Sequence, residues 1–152
     1  MVNQIHYLNL DNEAGSRLKV IFLPSYLTGK DGIANLSYYD LLIGLDATAF
    51  PSYYEPWGYT PLESIAFGIP TITTDLSGFG QWINSRKEQG LEKSGVKVLH
   101  RGDLNFVEVS EDLADSILAL SHCGKAQRAK IGQAATNVSL EAEWKHFIEY
   151  YT

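Results

Sequence analysis

Two carboxylates, a glycine and the start of a helix occur together in the segment Tyr53–Glu63. The short apolar run Ala47–Phe50 before it has the composition of a buried strand, and Ser64–Gly68 after it is typical of a short helix that ends at a glycine. The free N–H groups and the dipole at the start of a helix attract anions. A strand, a tight loop and a helix start in this order therefore predict a site for an anionic ligand.

The same segment predicts how its helix begins. Thr60 can act as the N-cap, Pro61 suits the first helical position, and Glu63 then falls at the third. This spacing is also that of a capping box, so the local sequence leaves Glu63 as either a capping residue or a ligand-binding one. In the same way Glu55, which precedes Pro56, is either a functional carboxylate or an exposed loop acid.

A longer pattern surrounds these residues. Glu55 and Glu63 form the E-x7-E pattern of retaining glycosyltransferases of the GT-B type, within the string FPSYYEPWGYTPLE. With Gly68-Ile-Pro and the segment Asp75–Gly80, the chain resembles glycosyltransferase family 3, the glycogen synthases of animals and fungi. The resemblance extends from about residue 18 to residue 151 and covers only the last part of the family's chain.

The resemblance implies roles for the residues of the motif. It places the backbone of Gly58, together with Tyr59 and Thr60, against the diphosphate of a sugar nucleotide, where glycine lets the chain approach closely. It places Glu63 on the ribose hydroxyls. It implies that Glu55 faces the glucosyl ring, where a carboxylate stabilises an oxocarbenium-like transition state.

Tyr38 lies seventeen positions before Glu55, as in the family, which implies that it stacks on the uracil. Its place in the first turn of an amphipathic helix is equally that of a core residue. Trp57, beside Gly58, is expected to be a packing residue. The segment Asp75–Gly80 is interpreted as a turn near the site rather than as a nicotinamide fingerprint, because the third glycine is replaced by Ile83.

The resemblance also implies an activity. The whole enzyme would move glucose from UDP-glucose, its donor substrate, to the nonreducing end of an α-1,4-glucan, with no cofactor. The first GT-B domain, which holds the acceptor, and the basic residues that neutralise the diphosphate are expected to lie outside this chain, so the chain by itself is expected to be inactive. The alternatives are a GT-B transferase with another sugar nucleotide or acceptor, and a noncatalytic nucleotide-binding module.

Composition narrows the partners and the compartment. Twelve Lys and Arg against eighteen Asp and Glu give a net charge of −6, which argues against nucleic-acid binding. The sequence shows no signal peptide and no run long enough to span a membrane, and the single cysteine, Cys123, excludes an internal disulfide. A cytoplasmic protein is the prediction. No metal is expected, because there is no D-x-D motif and the four histidines lack ligand spacing. The oligomeric state stays open.

Alternating strands and helices must position these residues. Strands are predicted at residues 18–23, 47–50, 71–74 and 96–99, and helices at 38–45, 61–67, 79–89, 111–122, 125–136 and 140–151. The first sixteen residues are polar and weakly patterned. This order predicts one α/β domain over residues 1–152, with a Rossmann-like parallel sheet flanked by helices, as the distal part of the C-terminal domain of a GT-B glycosyltransferase.

One difference from the family concerns regulation. Eukaryotic members carry an arginine-rich helix that binds glucose 6-phosphate, and aligning Gln127-Arg128 with it puts Gly132, Ala134 and Asn137 where that helix has arginines. The fold is therefore expected without the sugar-phosphate switch.

Overall fold

Three parallel strands form the sheet, in the order β1 (Thr48–Ala49), β2 (Thr71–Thr74) and β3 (Val96–Leu99). The structure is a computed structural model that describes residues 2–148. All four residues of β2 are buried, as expected for the central strand of a parallel sheet covered on both faces. The predicted class, an α/β fold with a small parallel sheet flanked by helices, is confirmed.

The helices complete the alternation that the sequence predicts. In the described part of the chain they are α1 Val2–Tyr7, α2 Tyr38–Leu42, α3 Tyr59–Ala66, α4 Gly78–Ser85, α5 Leu91–Ser94, α6 Phe106–His122, α7 Lys125–Glu141 and α8 Trp144–Phe147. The chain divides into two compact units, residues 1–41 and 42–152. The second unit contains the sheet and all helices from α3 onward. No helix among the described residues is long and apolar enough to cross a membrane.

The strand predicted at residues 18–23 is wrong, because this segment of the first unit is irregular. Residues 18–23 pair with no strand among the described residues, and the side chain of Ile21 is 74% exposed. The amide side chain of Asn12 takes the place of a partner strand: its Nδ2 donates to the Val20 carbonyl and its Oδ1 accepts from the Val20 N–H, both at 2.7 Å. A β pattern without a neighbouring strand leaves its backbone groups to such local partners.

Several helix limits also differ from the prediction. Helix α4 ends at Ser85, before the residue 89 that was expected, and α6 begins five residues earlier than residue 111. Helix α7 continues past residue 136 to Glu141. Of the helix predicted at 140–151, Trp144–Phe147 is helical, and residues 149–152 lie outside the described part. The weakly patterned N-terminus contains α1.

Two clusters of buried side chains form the core of the second unit. One contains Ile65, Phe79, Ile83, Val96, Ala135 and Val138, and the other contains Ile72, Leu99, Val109, Leu120 and Ile131. Both clusters join strand residues to α7, through Ala135 and Val138 in the first cluster and through Ile131 in the second. The long helix α7 is therefore part of the core that supports the sheet.

Close backbone packing places α7 against two glycine turns. A Cβ on Gly95, which has φ +70°, would lie 2.3 Å from the Cβ of Ala135, and a Cβ on Gly132 would lie 2.7 Å from the carbonyl oxygen of Gly68. Neither position has room for a side chain. Small residues on this face of α7 are thus a packing requirement.

A charged pair links α4 to α7. The guanidinium of Arg86, at the end of α4, donates to both carboxylate oxygens of Glu141, with Nη2 to Oε1 at 2.8 Å. These hydrogen bonds hold the pKa of the Glu141 carboxyl below its ordinary value. Arg86 also lies over the ring of Trp82, 5.1 Å from its centroid.

Candidate functional site

The loop after β1 is held against β2 and the turn that follows it. The Phe50 N–H donates to the Ile72 carbonyl at 2.8 Å, and the Thr74 hydroxyl donates to the Ser52 carbonyl at 2.8 Å. Further on, Glu55 pairs with Ser77 in an isolated parallel bridge. The loop thereby continues the direction of the sheet beyond its carboxyl edge, and Glu55 is fixed at that edge. This is where ligands bind in open parallel sheets.

Two glycines allow the loop to approach the start of α4. A Cβ on Gly78 would lie 2.4 Å from the Pro56 carbonyl oxygen, and one on Gly80 would lie 2.0 Å from the Thr74 carbonyl oxygen. The structure thus has a turn before α4, which begins at Gly78, and this turn lies against the loop that carries Glu55. Ser77 is fully buried, and its hydroxyl caps α4 by accepting from the Gly80 N–H at 3.0 Å, so the fold itself uses this side chain.

Gly58 turns the chain into α3 and brings Glu55 to the start of that helix. Its φ of 114° and ψ of 70° are left-handed, a conformation that favours glycine. A Cβ at this position would lie 3.2 Å from Pro61 Cγ and 3.7 Å from the carboxyl carbon of Glu55. The Glu55 carboxyl therefore lies beside the N-cap of α3.

The prediction of Thr60 as N-cap and Pro61 as the first helical residue is wrong, because α3 begins at Tyr59 with Gly58 as its N-cap. Thr60 and Pro61 are the second and third helical residues, and Glu63 is the fifth. The left-handed Gly58 starts the helix earlier than the sequence pattern indicates. Glu63 is therefore not at the third helical position, which a capping box with Thr60 requires. Gly58 has no side chain that could cap the helix, so the first N–H groups of α3 receive no hydrogen bond from their N-cap residue.

The other predicted site residues lie on this helix or in the first unit. Tyr59 is 71% exposed, and Glu63 is half-buried one helical turn after it, on the same face. Tyr38 begins α2 in the first unit, is half-buried and contacts the ring of Tyr39 edge-on at 5.2 Å between centroids. The structure thus brings Glu55, Gly58 and the α3 residues together, while the role of Tyr38 stays a prediction.

An aromatic groove of about 600 Å³ lies beside Tyr59 in the second unit. Its lining consists of Trp57, Tyr59, Leu62, Trp82, Ala142, Trp144 and Phe147. Trp57 contacts Phe79, Trp82 and Phe147 with ring centroids 5.5 to 6.2 Å apart, which confirms it as a packing residue. The loop that carries Glu55 is therefore anchored to the core on its C-terminal side.

A group of polar side chains at the end of β3 was missed by the sequence analysis. Asp75 accepts from the Arg101 N–H at 2.9 Å and pairs with His100 Nδ1 at 2.5 Å. The guanidinium of Arg101 reaches the loop before Glu55, at Pro51 and Tyr53. The one signal available was position, because these residues directly follow predicted strands.

Among the described residues, no three His, Cys, Asp or Glu side chains are grouped to hold a metal ion.

Comparison with known proteins decides the family. A sequence model named glycogen synthase matches residues 1–152. This chain belongs to the glycogen synthase family. It is 36% identical to glycogen [starch] synthase isoform 1 of Saccharomyces cerevisiae over 152 residues, which cover 99% of this chain and 22% of the yeast protein. It is 33% identical to glycogen [starch] synthase of Caenorhabditis elegans and 31% identical to that of Neurospora crassa, over 99% of this chain in both cases and over 22% and 21% of those proteins.

The resemblance that rests on the motif around Glu55 and Glu63 is thus confirmed along nearly the whole chain. The chain spans about a fifth of the length of the curated relatives that it matches.

Proposed function

We propose that this chain is the donor-binding part of a retaining glucosyltransferase that moves glucose from UDP-glucose to an α-1,4-glucan. The observation that carries the proposal is the position of the Glu55 carboxyl beside Gly58, at a helix start whose N-cap is a left-handed glycine without a side chain. A sugar diphosphate has an anionic group for the helix start and a glucosyl ring for the carboxylate. Membership of the glycogen synthase family supports this donor and this acceptor.

In the proposed mechanism the first turn of α3 binds the diphosphate. The N–H groups of Tyr59 and Thr60, with the positive end of the helix dipole, stabilise the negative charge that grows on UDP as its bond to the sugar breaks. Pro61 at the third helical position has no N–H to leave unsatisfied. Gly58 allows the phosphates to approach the backbone.

The two carboxylates have separate tasks in this mechanism. Glu55 stabilises the positive charge that develops at the anomeric carbon as its bond to the phosphate oxygen of UDP breaks. An acceptor hydroxyl oxygen then forms the new glycosidic bond on the face from which UDP departs, and its proton goes to the departing phosphate oxygen. Glu63 accepts hydrogen bonds from the ribose hydroxyls one turn along α3. Tyr38 stacks on the uracil. UDP-glucose is a substrate, and the proposal includes neither a cofactor nor a metal.

The remaining parts of the proposal concern the whole protein. The sheet is the distal part of the second domain of a GT-B enzyme, the glucan binds through polypeptide beyond this chain, and the enzyme is cytoplasmic and binds no nucleic acid. By itself the chain binds the donor without transferring glucose, because the basic residues that neutralise the diphosphate in the family are not in it.

Nucleotide titration of the wild type and of Glu63→Ala tests the donor site. We expect UDP to bind more tightly than ADP, and Glu63→Ala to weaken UDP binding by about 10-fold or more, because hydrogen bonds to a charged group contribute about 1.5–3 kcal/mol. Calorimetry on the enzyme that contains this chain measures both affinities.

Glu111→Ala is the matched control, since Glu111 is an exposed acid on α6. Equal UDP affinities for the wild type and Glu63→Ala would refute the ribose role. UDP binding by the whole protein that contains this chain, without any glucosyl transfer, would favour the noncatalytic module instead.

Glucose 6-phosphate is expected to leave the activity of the enzyme unchanged. At Gly132 the helix α7 packs on Gly68 and has no room for an arginine, and Arg128 already pairs with Asp46 and donates to the Cys123 carbonyl at 3.1 Å. Initial rates with and without the sugar phosphate, at subsaturating UDP-glucose, measure the effect. Activation would show that other basic side chains form the regulatory site.

A further inference from the structure

Arg101 follows strand β3, and its side chain contacts the loop of residues 51–55, which leads to Glu55. Its Nη1 donates to the Pro51 carbonyl at 2.7 Å, and its guanidinium carbon lies 3.6 Å from the centroid of the Tyr53 ring. Arg101 is fifty positions from Pro51 in the sequence and comes from the far edge of the sheet.

The backbone of Arg101 is fixed independently of its side chain. Its N–H donates to Asp75 Oδ1 at 2.9 Å, and the other carboxylate oxygen of Asp75 pairs with His100. The guanidinium therefore extends from a held position at the carboxyl edge of the sheet. A substitution at Arg101 removes its two loop contacts and leaves this anchor in place.

The two contacts of Arg101 matter for the position of Glu55, because few other contacts hold the loop on the N-terminal side of Glu55. After Pro51, the loop is held by the Thr74 hydroxyl at Ser52 and by the Arg101 guanidinium at Tyr53, and Tyr54 is 79% exposed. The bonds of Glu55 itself are long, with its N–H to the Leu76 carbonyl at 3.3 Å and its carbonyl to the Gly78 N–H at 3.3 Å. Arg101 thus completes the restraint on the N-terminal half of the loop.

We infer that Arg101 is a positioning residue, which holds the Pro51–Glu55 loop so that the Glu55 carboxylate meets the anomeric carbon. The inference rests on the proposed function, in which Glu55 acts on the sugar. It does not assign Arg101 a contact with the donor. A guanidinium suits the task because its planar donors serve the Pro51 carbonyl while its face stacks on the Tyr53 ring.

Arg101→Ala tests this in the enzyme that contains the chain. We expect kcat to fall by about 10- to 100-fold, since small misplacements of a reacting group have effects of this size. The Kd for UDP should stay unchanged, because α3 and Glu63 do not depend on Arg101. Arg101→Lys should recover much of kcat, since an ammonium can still donate to Pro51 and lie over Tyr53. Tyr53→Phe keeps the ring and should resemble the wild type.

Arg86→Ala is the matched control. The Arg86 guanidinium also lies over an aromatic ring, that of Trp82, but it pairs with Glu141 at the C-terminal end of α4 and does not contact the loop of residues 51–55 in any described contact. We expect Arg86→Ala to lower Tm and to leave kcat unchanged. If Arg101 had only a structural role, Arg101→Ala would likewise lower Tm and leave kcat at the wild-type value. That result would overturn the inference.

Hydrogen exchange makes the test independent of activity. The Glu55 and Gly78 amides should exchange faster in Arg101→Ala than in the wild type, and Arg86→Ala should not change them. Unchanged exchange in Arg101→Ala overturns the positioning role. A wild-type enzyme that neither binds UDP nor transfers glucose defeats the proposed function instead, and the exchange result still decides whether Arg101 holds the loop.

Discussion

Glu55→Gln is expected to lower the kcat of glucosyl transfer by about 10²- to 10³-fold, the usual effect of removing a group that stabilises transition-state charge. The neutral amide has nearly the shape of the carboxylate and still fits beside Gly58, so the loop and α3 should stay in place. Because the substitution removes negative charge where positive charge develops, the loss should appear in kcat rather than in UDP affinity. Steady-state kinetics with UDP-glucose and a glucan, together with UDP titration, measure both quantities.

Glu63→Gln provides the contrast within the same motif. In the proposed mechanism Glu63 binds the ribose, which is held in the ground state and in the transition state alike. We therefore expect this variant to raise KM for UDP-glucose and to change kcat little. If Glu55→Gln weakened UDP binding and left kcat unaltered, the two roles would have to be exchanged. An active Glu55→Gln enzyme with unchanged KM would remove Glu55 from the mechanism.

Gly80→Ala is expected to have the largest effect on stability, lowering the free energy of unfolding by about 2–4 kcal/mol. The added Cβ would lie 2.0 Å from the Thr74 carbonyl oxygen and 3.0 Å from the Ser77 hydroxyl that caps α4. Neither the end of β2 nor the buried cap can move without disturbing the loop that carries Glu55, so the cost is a backbone shift. Urea unfolding followed by tryptophan fluorescence and circular dichroism measures it.

Gly102→Ala is the control for that experiment. A Cβ on Gly102 would meet only Asn105 Oδ1, at the ordinary distance of 3.8 Å, so its effect should be within about 0.5 kcal/mol. The pair separates the clash at Gly80 from the general effect of replacing glycine. Equal stabilities of Gly80→Ala and the wild type would show that α4 can move away from Thr74 at little cost.

Much of the site could be predicted from the sequence because its chemistry is local. The string from Phe50 to Glu63 places strand, loop and helix in contact by chain connectivity alone, and the parallel strands at 71–74 and 96–99 match the structure at both ends. β-branched residues bounded by glycine, proline and polar turns make such strands recognisable. Family membership follows from the same string and is confirmed over the whole chain.

The remaining errors have physical causes that act over a longer range. The apolar run at residues 18–23 has the composition of a strand, but the Asn12 side chain bonds its backbone where a partner strand was expected. The start of α3 was misplaced because a left-handed glycine can begin a helix before the residue that local capping preferences favour. Composition in the first case and capping propensity in the second were outweighed by the actual hydrogen-bond partners.

The sequence by itself determined the family, the parallel α/β class and the two carboxylates of the motif. Only the tertiary structure decided which groups surround them. It placed the Glu55 carboxyl at the start of α3, closed the face of α7 at Gly132 against Gly68, and brought Arg101 across the sheet to Tyr53. Connectivity fixes neighbours a few residues apart, whereas contacts between residues tens of positions apart depend on how closely packed elements fit, and a single sequence does not state that fit.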